Sequence, residues 1–173
     1  METVLVLTIM GPDRPGIVDS VSAAVAAHGG SWQRSRMAKL AGQFAGILEV
    51  AIDDAAADGL RSALAALASE ALTVFMAGSE VVAAPVAPPR LQVSVVGHDR
   101  PGIMRAMARA LTARGLNVLE LESGCAYAPM SGDRMFEARA VVELPTGVAA
   151  EDVRADLEAL AGDMMVDFGI DAG

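Results

Sequence analysis

The sequence has few of the side chains that hold metals or carry out nucleophilic catalysis. Its 173 residues include one cysteine, two histidines and only 3% aromatic residues. A single cysteine cannot form an intramolecular disulfide, and one thiol with two imidazoles is too few for a zinc cluster. The G-x-S-x-G, Walker A and G-x-G-x-x-G patterns are absent as well. We therefore expect no metal, no cofactor, no catalytic residues and a reducing compartment such as the cytoplasm.

Positive charge is also scarce. The chain has 13 Lys and Arg residues against 22 Asp and Glu residues, which gives a formal net charge of -9. Since nucleic-acid binding depends on clustered basic residues that release counterions, we expect no direct contact with DNA. No apolar stretch reaches the length of about 18 residues that a membrane-spanning helix needs, and the N-terminal "METVLVLTIM" lacks the basic residues of an export signal. These features predict a soluble cytoplasmic protein.

The main feature that the sequence does contain is an internal repeat. The stretch "GPDRPGIVDSVSAAVAAHGG" at positions 11–30 returns as "GHDRPGIMRAMARALTARGL" at positions 97–116. Asp13 and Asp99 are 86 residues apart, and the same offset holds across the whole copied stretch. Repetition at a fixed offset indicates a duplicated structural unit.

The repeat also fixes the expected domain boundaries. The four phenylalanines form two further pairs once a few extra residues near 126–133 are allowed for. A unit of about 80 residues is a plausible small domain. We therefore predict a first domain at 1–82, a proline-containing spacer at 83–90 and a second domain at 91–173.

Hydrophobic periodicity changes in the same order in both units. A short strand rich in Val, Leu and Ile precedes a stretch with helical spacing, followed by a hairpin, a second helix and a last strand. The second helices are marked by Leu60, Leu64 and Leu67 and by Val153, Leu157 and Leu160. The order βαββαβ predicts an α+β fold of two ferredoxin-like units, each a four-stranded antiparallel sheet with both helices on one face. We expect a second unit or a second copy to cover the open sheet faces and edges.

The repeated Asp-Arg-Pro-Gly loop lies between the first strand and the first helix of each unit. Proline is favoured at the first position of a helix, so we predict that Pro15 and Pro101 begin these helices, with Arg14 and Arg100 as their N-caps. Two glycines, at positions 29 and 115, are predicted to end the same helices.

The aspartate and the glycine of each loop allow two interpretations. Gly16 and Gly102 would weaken the first turn of a helix by about 1 kcal/mol, which suggests that the backbone comes close to another backbone or to a ligand. A helix start attracts a carboxylate, and Asp13 or Asp99 could hold an ammonium group, so the loop suits an amino-acid zwitterion. Alternatively, the aspartates only satisfy helix-start amides and the glycines only allow tight packing. Residue types leave both interpretations open.

Several motifs together resemble tandem ACT domains. They are the two Asp-Arg-Pro-Gly loops, "HGGSW" and "RGLNV" after the first helices, and "SRMAKLAGQFAG" and "APMSG" in the hairpins. Within that family, the chain is similar over nearly its full length to regulators of the glycine cleavage system. The resemblance implies amino-acid sensing, with a ligand held between ACT units by the loop after the first strand. It assigns the ligand-binding role to Gly11, Pro12, Asp13, Arg14, Gly16, Ile17 and Ser31, and to Gly97, His98, Asp99, Arg100, Gly102, Ile103 and Asn117.

The resemblance implies a non-enzymatic regulator whose effector is a small amino acid such as glycine. Its partner would be a protein such as a transcription regulator, and the chain would form a homodimer. One alternative is a regulatory module of an amino-acid or one-carbon enzyme, since formyltetrahydrofolate deformylase carries a similar ACT segment. Another is a purely structural dimerisation protein. For single residues, a ligand-lining His98 is favoured over a general base, and His28 is expected to end the first helix on its surface. An ordinary, half-buried Cys125 thiol is favoured over a redox-sensitive loop.

Overall fold

The computed structural model describes residues 2–67, 72–79, 88–161 and 165–171. The chain divides into two compact units, Met1–Ala83 and Ala84–Gly173. This division falls inside the predicted spacer 83–90. Residues 83–87 of that spacer lie outside the described residues, so its extent stays a prediction.

The first unit has the predicted order of elements. They are β1 (Glu2–Pro12), α1 (Ile17–Ala27), β2 (Ser31–Leu40), β3 (Gln43–Asp53), α2 (Asp54–Leu67) and β4 (Thr73–Ser79). Its sheet has the order β2-β3-β1-β4, and every neighbouring pair is antiparallel. The strand that opens the chain is therefore central, which places the loop after it next to the turn of the β2–β3 hairpin.

The second unit repeats this arrangement. Its elements are β5 (Arg90–His98), α3 (Ile103–Ala113), β6 (Asn117–Tyr127), β7 (Arg134–Glu143), α4 (Ala150–Ala161) and β8 (Met165–Asp171). The sheet order is β6-β7-β5-β8, again with antiparallel neighbours. Each unit is therefore a four-stranded antiparallel sheet with two helices, and the predicted ferredoxin-like fold is confirmed.

Each unit buries its own apolar core between the helices and one face of the sheet. Alternate residues of β1 point into the first core, where Leu5, Leu7 and Ile9 have no exposed surface. Helix α2 contributes Leu60 and Leu64, as its spacing predicts. The second core has Val153 and Leu157 at the corresponding places of α4, while the side chain of Leu160 lies outside the described part of the chain. No described polar or charged side chain is buried.

The first helix of each unit ends where its glycine predicts. Helix α1 ends with His28 as its C-cap, and Gly29 follows with a φ of 69°. The N–H of Gly30 donates to the carbonyl of Val25, and the N–H of Gly29 donates to that of Ala26. These two bonds form a Schellman motif, and α3 ends in the same way at Gly115.

The two units hold their helices together with different chemistry. In the first, Nδ1 of half-buried His28 donates a hydrogen bond to the carbonyl of Ala24, and the ring lies against Gly59 of α2. In the second, the C-cap residue is Arg114, whose Nε donates to Asp156 of α4 at 2.6 Å. That hydrogen bond is the main reason why the pKa of Asp156 is lowered.

Candidate functional site

Both Asp-Arg-Pro-Gly loops are fixed to the tip of the neighbouring hairpin by a backbone hydrogen bond. The N–H of Asp13 donates to the carbonyl of Gly42 at 2.9 Å, and the N–H of Asp99 donates to that of Arg134 at 2.8 Å. The loops thus leave the central strands in the same way in both units. The duplication preserved the backbone of the loop as well as its sequence.

The predicted helix start is wrong by two residues. Helices α1 and α3 begin at Ile17 and Ile103, and their N-caps are Gly16, with φ 91° and ψ 0°, and Gly102, with φ 86° and ψ 2°. These angles belong to the third residue of a type II turn, a position that requires a positive φ and favours glycine after proline. In the second unit the N–H of Ile103 donates to the carbonyl of Arg100, three residues earlier, which closes the turn. The prolines therefore shape a turn before the helix and do not begin it.

The open surroundings of the two glycines correct the reason given for them. A Cβ atom built on Gly16 or Gly102 would meet nothing within 4 Å. Close approach to another backbone is therefore not what requires glycine here. The positive φ of the turn is the requirement, since a residue with a Cβ adopts it at a cost.

The loop aspartates form ion pairs and do not cap the helices. The N-caps of α1 and α3 are glycines, which have no side chain, and the partners of the two aspartate side chains are cations on the hairpins. Asp13 pairs with the ammonium of Lys39 near the end of β2, and Asp99 pairs with Nε of Arg134 at 2.9 Å. The interpretation in which the aspartates satisfy helix-start amides is therefore wrong. Sequence analysis missed both cations, because neither belongs to the repeated motif.

The second loop also has a thiol near its ion pair. Hydrogen bonding to Cys125, followed by the charge of Asp99, raises the pKa of the Arg134 guanidinium. Cys125 lies on β6 opposite Phe136 and is exposed, so the expectation of a half-buried thiol is wrong. In the first unit Lys39 has the corresponding place, opposite Phe44.

Family comparison agrees with this duplicated geometry. An ACT-domain model matches residues 3–76, and a second ACT-domain model matches residues 91–160. The chain belongs to the ACT-domain family. ACT domains are regulatory domains, and the tandem organisation predicted from the repeat is confirmed. No curated protein matches the chain.

Solved structures show the same fold over the full chain. A protein of unknown function from Galdieria sulphuraria is 26% identical with a TM-score of 0.82, and the match covers 98% of this chain and 99% of that one. A proposed glycine cleavage system transcriptional repressor is 18% identical with a TM-score of 0.70, covering 99% of both chains. A formyltetrahydrofolate deformylase from Pseudomonas syringae pv. tomato is 30% identical with a TM-score of 0.40, covering 46% of this chain and 28% of that one. The first two matches therefore extend over both ACT domains of the chain.

Within each ACT domain, the predicted loop residues differ in what they can offer a ligand. Ile17 and Ile103 are each 4% exposed and belong to the two cores, so their side chains are not accessible to a ligand. The other loop residues divide by burial: Gly11 and Gly97 are buried at the ends of β1 and β5, Asp99 is half-buried, and Pro12, Asp13, Arg14, Gly16, His98, Arg100 and Gly102 are exposed. The accessible part of each loop is therefore the turn itself with its aspartate.

The last two predicted site residues lie far from the loop of their own ACT domain. Ser31 and Asn117 begin β2 and β6, whereas the loops contact the opposite ends of these hairpins. The ten residues of β2 span about 30 Å at the usual rise of a strand. Ser31 accepts a hydrogen bond from Gln33, and Asn117 donates one to Glu143. The fold does not bring either residue together with the loop of its own domain.

Two surface cavities lie in the second ACT domain. One of about 220 Å³ follows β6 and β7, and one of about 520 Å³ lies between α3 and α4. Among the described residues, no group of three or more His, Cys, Asp or Glu side chains is placed to hold a metal ion. No helix in the described part of the chain is long and apolar enough to cross a bilayer.

Proposed function

We propose that the protein is a non-enzymatic regulator that binds a small amino acid, glycine or one similar to it, at its Asp-Arg-Pro-Gly loops. The observation that carries this proposal is that, in both ACT domains, the loop places an accessible carboxylate four residues before the start of a helix whose N-cap has no side chain. Asp13 and Asp99 supply the carboxylates, next to the helix starts at Ile17 and Ile103.

The chemistry of this arrangement suits a zwitterion. The first N–H groups of a helix have no partner within the helix, and the helix dipole adds a partial positive charge at this end. A ligand carboxylate would be stabilised there, while its ammonium would be attracted by the aspartate. Because Ile17 and Ile103 are buried, the loop offers backbone and charge and no large apolar pocket. A small amino acid meets these conditions better than a large apolar one.

Ser31 and Asn117 can complete the proposed site only at the loop of a different ACT domain. Each lies at the far end of the sheet from the loop of its own domain, at a distance much greater than the length of an amino acid. A homodimer in which a second copy brings one of these polar groups to the loop would make the ligand part of an interface. Ligand binding would then change how strongly the copies associate.

The proposed output is contact with a protein partner in the cytoplasm, such as a transcription regulator. The net charge of -9 favours a protein partner over nucleic acid. The solved structure of a proposed glycine cleavage system repressor, with the same full-length fold, supports transcription as the process. An amino acid can control that contact only if it binds two arrangements of the protein with unequal affinity.

Thermal unfolding of the full chain with single amino acids tests this proposal. A ligand at about 100 times its dissociation constant adds about 2.7 kcal/mol to the stability of the state that binds it. We expect one or a few small amino acids to raise the melting temperature, and Asp13→Ala with Asp99→Ala to abolish the rise. Asp58→Ala, at an exposed position of α2 away from the loops, is the control that should keep the rise in melting temperature.

Thermal unfolding and an assay for hydrolysis together separate the alternatives. If no amino acid changes the melting temperature of the wild-type chain, the proposal is wrong and a structural dimerisation role gains support. If the pure protein hydrolyses a formyl or amide substrate, the non-enzymatic assignment is wrong.

A further inference from the structure

We propose that Lys39 and Arg134 determine which ligands the two loops accept. With Asp13 and Asp99 they make each loop complementary to a zwitterion and unfavourable to a molecule that carries only one charge. This inference rests on the proposed function, in which the loops bind an amino acid.

The geometry of the two ion pairs leaves room for a third charged group. The side chains of Lys39 and Arg134 are 62% and 60% exposed, and those of Asp13 and Asp99 are 30% and 26% exposed. A carboxylate can accept about four hydrogen bonds, and an ammonium or guanidinium has several donors. One ion pair therefore leaves unused donors and acceptors on both partners, and these face solvent.

Adjacent opposite charges discriminate between ligands by simple electrostatics. A zwitterion can place its ammonium near the aspartate and its carboxylate near the cation, so both of its charges meet an opposite charge. A lone amine is attracted by the aspartate but repelled by the cation, and a lone carboxylate experiences the reverse. Only a molecule with both charges gains at both places.

A second observation is that the two cations come from different positions of the repeat. Lys39 lies opposite Phe44 on the hairpin, and the residue in the same place of the second unit is Cys125, opposite Phe136. Arg134 instead supplies the carbonyl that anchors the loop, a role that Gly42 has in the first unit. Simple inheritance from one ancestral unit does not place both cations. A shared requirement for positive charge beside the aspartate explains why each unit has one.

Site-resolved titration of the ¹⁵N-labelled full chain tests the inference. The amides of Gly16 and Gly102 report on the two loops separately, and the probes are glycine, glycinamide and acetate. We expect wild-type loops to prefer glycine over both singly charged probes. In Lys39→Met, glycine should bind the first loop about fivefold more weakly, the size expected for one partly exposed charge contact. Glycinamide should bind it more tightly, while the second loop stays unchanged.

Arg134→Met should give the mirror result, with changes confined to the second loop. The matched control is Arg34→Met, which removes one positive charge from the same strand as Lys39. Arg34 pairs with Glu49 at 2.7 Å, at a register position six rows from the hairpin tip, and its loss should leave glycine binding unchanged. The spectra themselves show whether each variant remains folded.

The outcomes separate this inference from the proposed function. If glycine shifts neither loop of the wild-type chain, both the proposed function for glycine and this inference are wrong. If glycine binds the wild-type loops and both Met variants keep the wild-type preference over glycinamide, the loops bind amino acids but the cations do not select them.

Discussion

Replacing Gly16 with alanine measures how far the loop conformation depends on its turn. Gly16 has a φ of 91°, and a Cβ added there would meet nothing within 4 Å. The substitution therefore introduces backbone strain without a steric clash in the surroundings. A left-handed conformation costs a residue with a Cβ about 1–2 kcal/mol, and the loss of glycine's freedom in the unfolded chain returns about 0.4–1 kcal/mol. We expect a net destabilisation of about 0.5–1 kcal/mol.

The single tryptophan makes this measurement specific for the first ACT domain. Trp32 is half-buried and packs against the first core, so its fluorescence in urea follows unfolding of that domain. With a slope of about 1 kcal/mol per molar urea, the midpoint should fall by about 0.5–1 M. The midpoint should fall less for Gly16→Asn than for Gly16→Ala, because asparagine tolerates the left-handed region better than alanine does.

Gly78→Ala is the matched control for this experiment. Gly78 lies in β4 without a positive φ, and it also has nothing within 4 Å of a built Cβ. Alanine there should be neutral or stabilising by up to about 1 kcal/mol, because only the unfolded chain is affected. If Gly16→Ala shifts the midpoint in the same direction as Gly78→Ala, the turn does not depend on its positive φ and our explanation of the loop is refuted.

Two further predictions concern the helix pairs. Gly59→Ala should stabilise the first domain more in a His28→Ala background than in the wild type, because a Cβ at position 59 would lie 3.1 Å from the His28 ring. Trp32 fluorescence measures the stability in both backgrounds. Equal gains in stability would contradict this contact. The second domain should lose stability in acid. The pKa of Asp156 is lowered from 3.8 in the folded state, mainly by its hydrogen bond from Arg114. The ionised carboxylate therefore stabilises the fold above pH 3.8, and this stabilisation is lost as the pH falls through the lower folded pKa. Hydrogen exchange of α3 and α4 amides should show this loss, and Asp156→Asn should reduce the slope; an unchanged slope would argue against the ion pair as its source.

The fold was fully predictable from the repeat and from hydrophobic periodicity. Alternating Val, Leu and Ile in β1 and the spacing of Leu60 and Leu64 in α2 each bury one face, and both patterns occur twice at nearly constant offset. The glycine-terminated helices were predictable for the same reason, since a Schellman motif depends on local sequence. Local rules succeed where neighbouring residues alone decide the structure.

The start of the helices shows a local rule that was applied too narrowly. Proline favours the first position of a helix, but it equally favours the second position of a type II turn when glycine follows. The Arg-Pro-Gly-Ile stretch therefore contained the correct signal. The decisive feature is the glycine, because only the turn requires its positive φ.

The repeat could not predict the cations of the candidate site. Lys39 and Arg134 become neighbours of the loop aspartates only because β1 and β5 pair with the hairpins in a definite register. A comparison by offset aligns Lys39 with Cys125, a thiol, and so conceals the common positive charge. Long-range pairing, and not local sequence, assembles this part of the site.

The duplication thus separates what the ACT unit needs for folding from what each copy is free to change. Both units keep a glycine of positive φ in the loop turn and a backbone hydrogen bond from the loop aspartate to the hairpin. The contact between helices uses a His28 ring in one unit and the Arg114 ion pair in the other. The cation beside the loop aspartate has changed its position and its chemistry but not its sign. Under the proposed function this pattern is expected, because ligand binding needs a charge beside the aspartate whereas packing depends on shape at a fixed place.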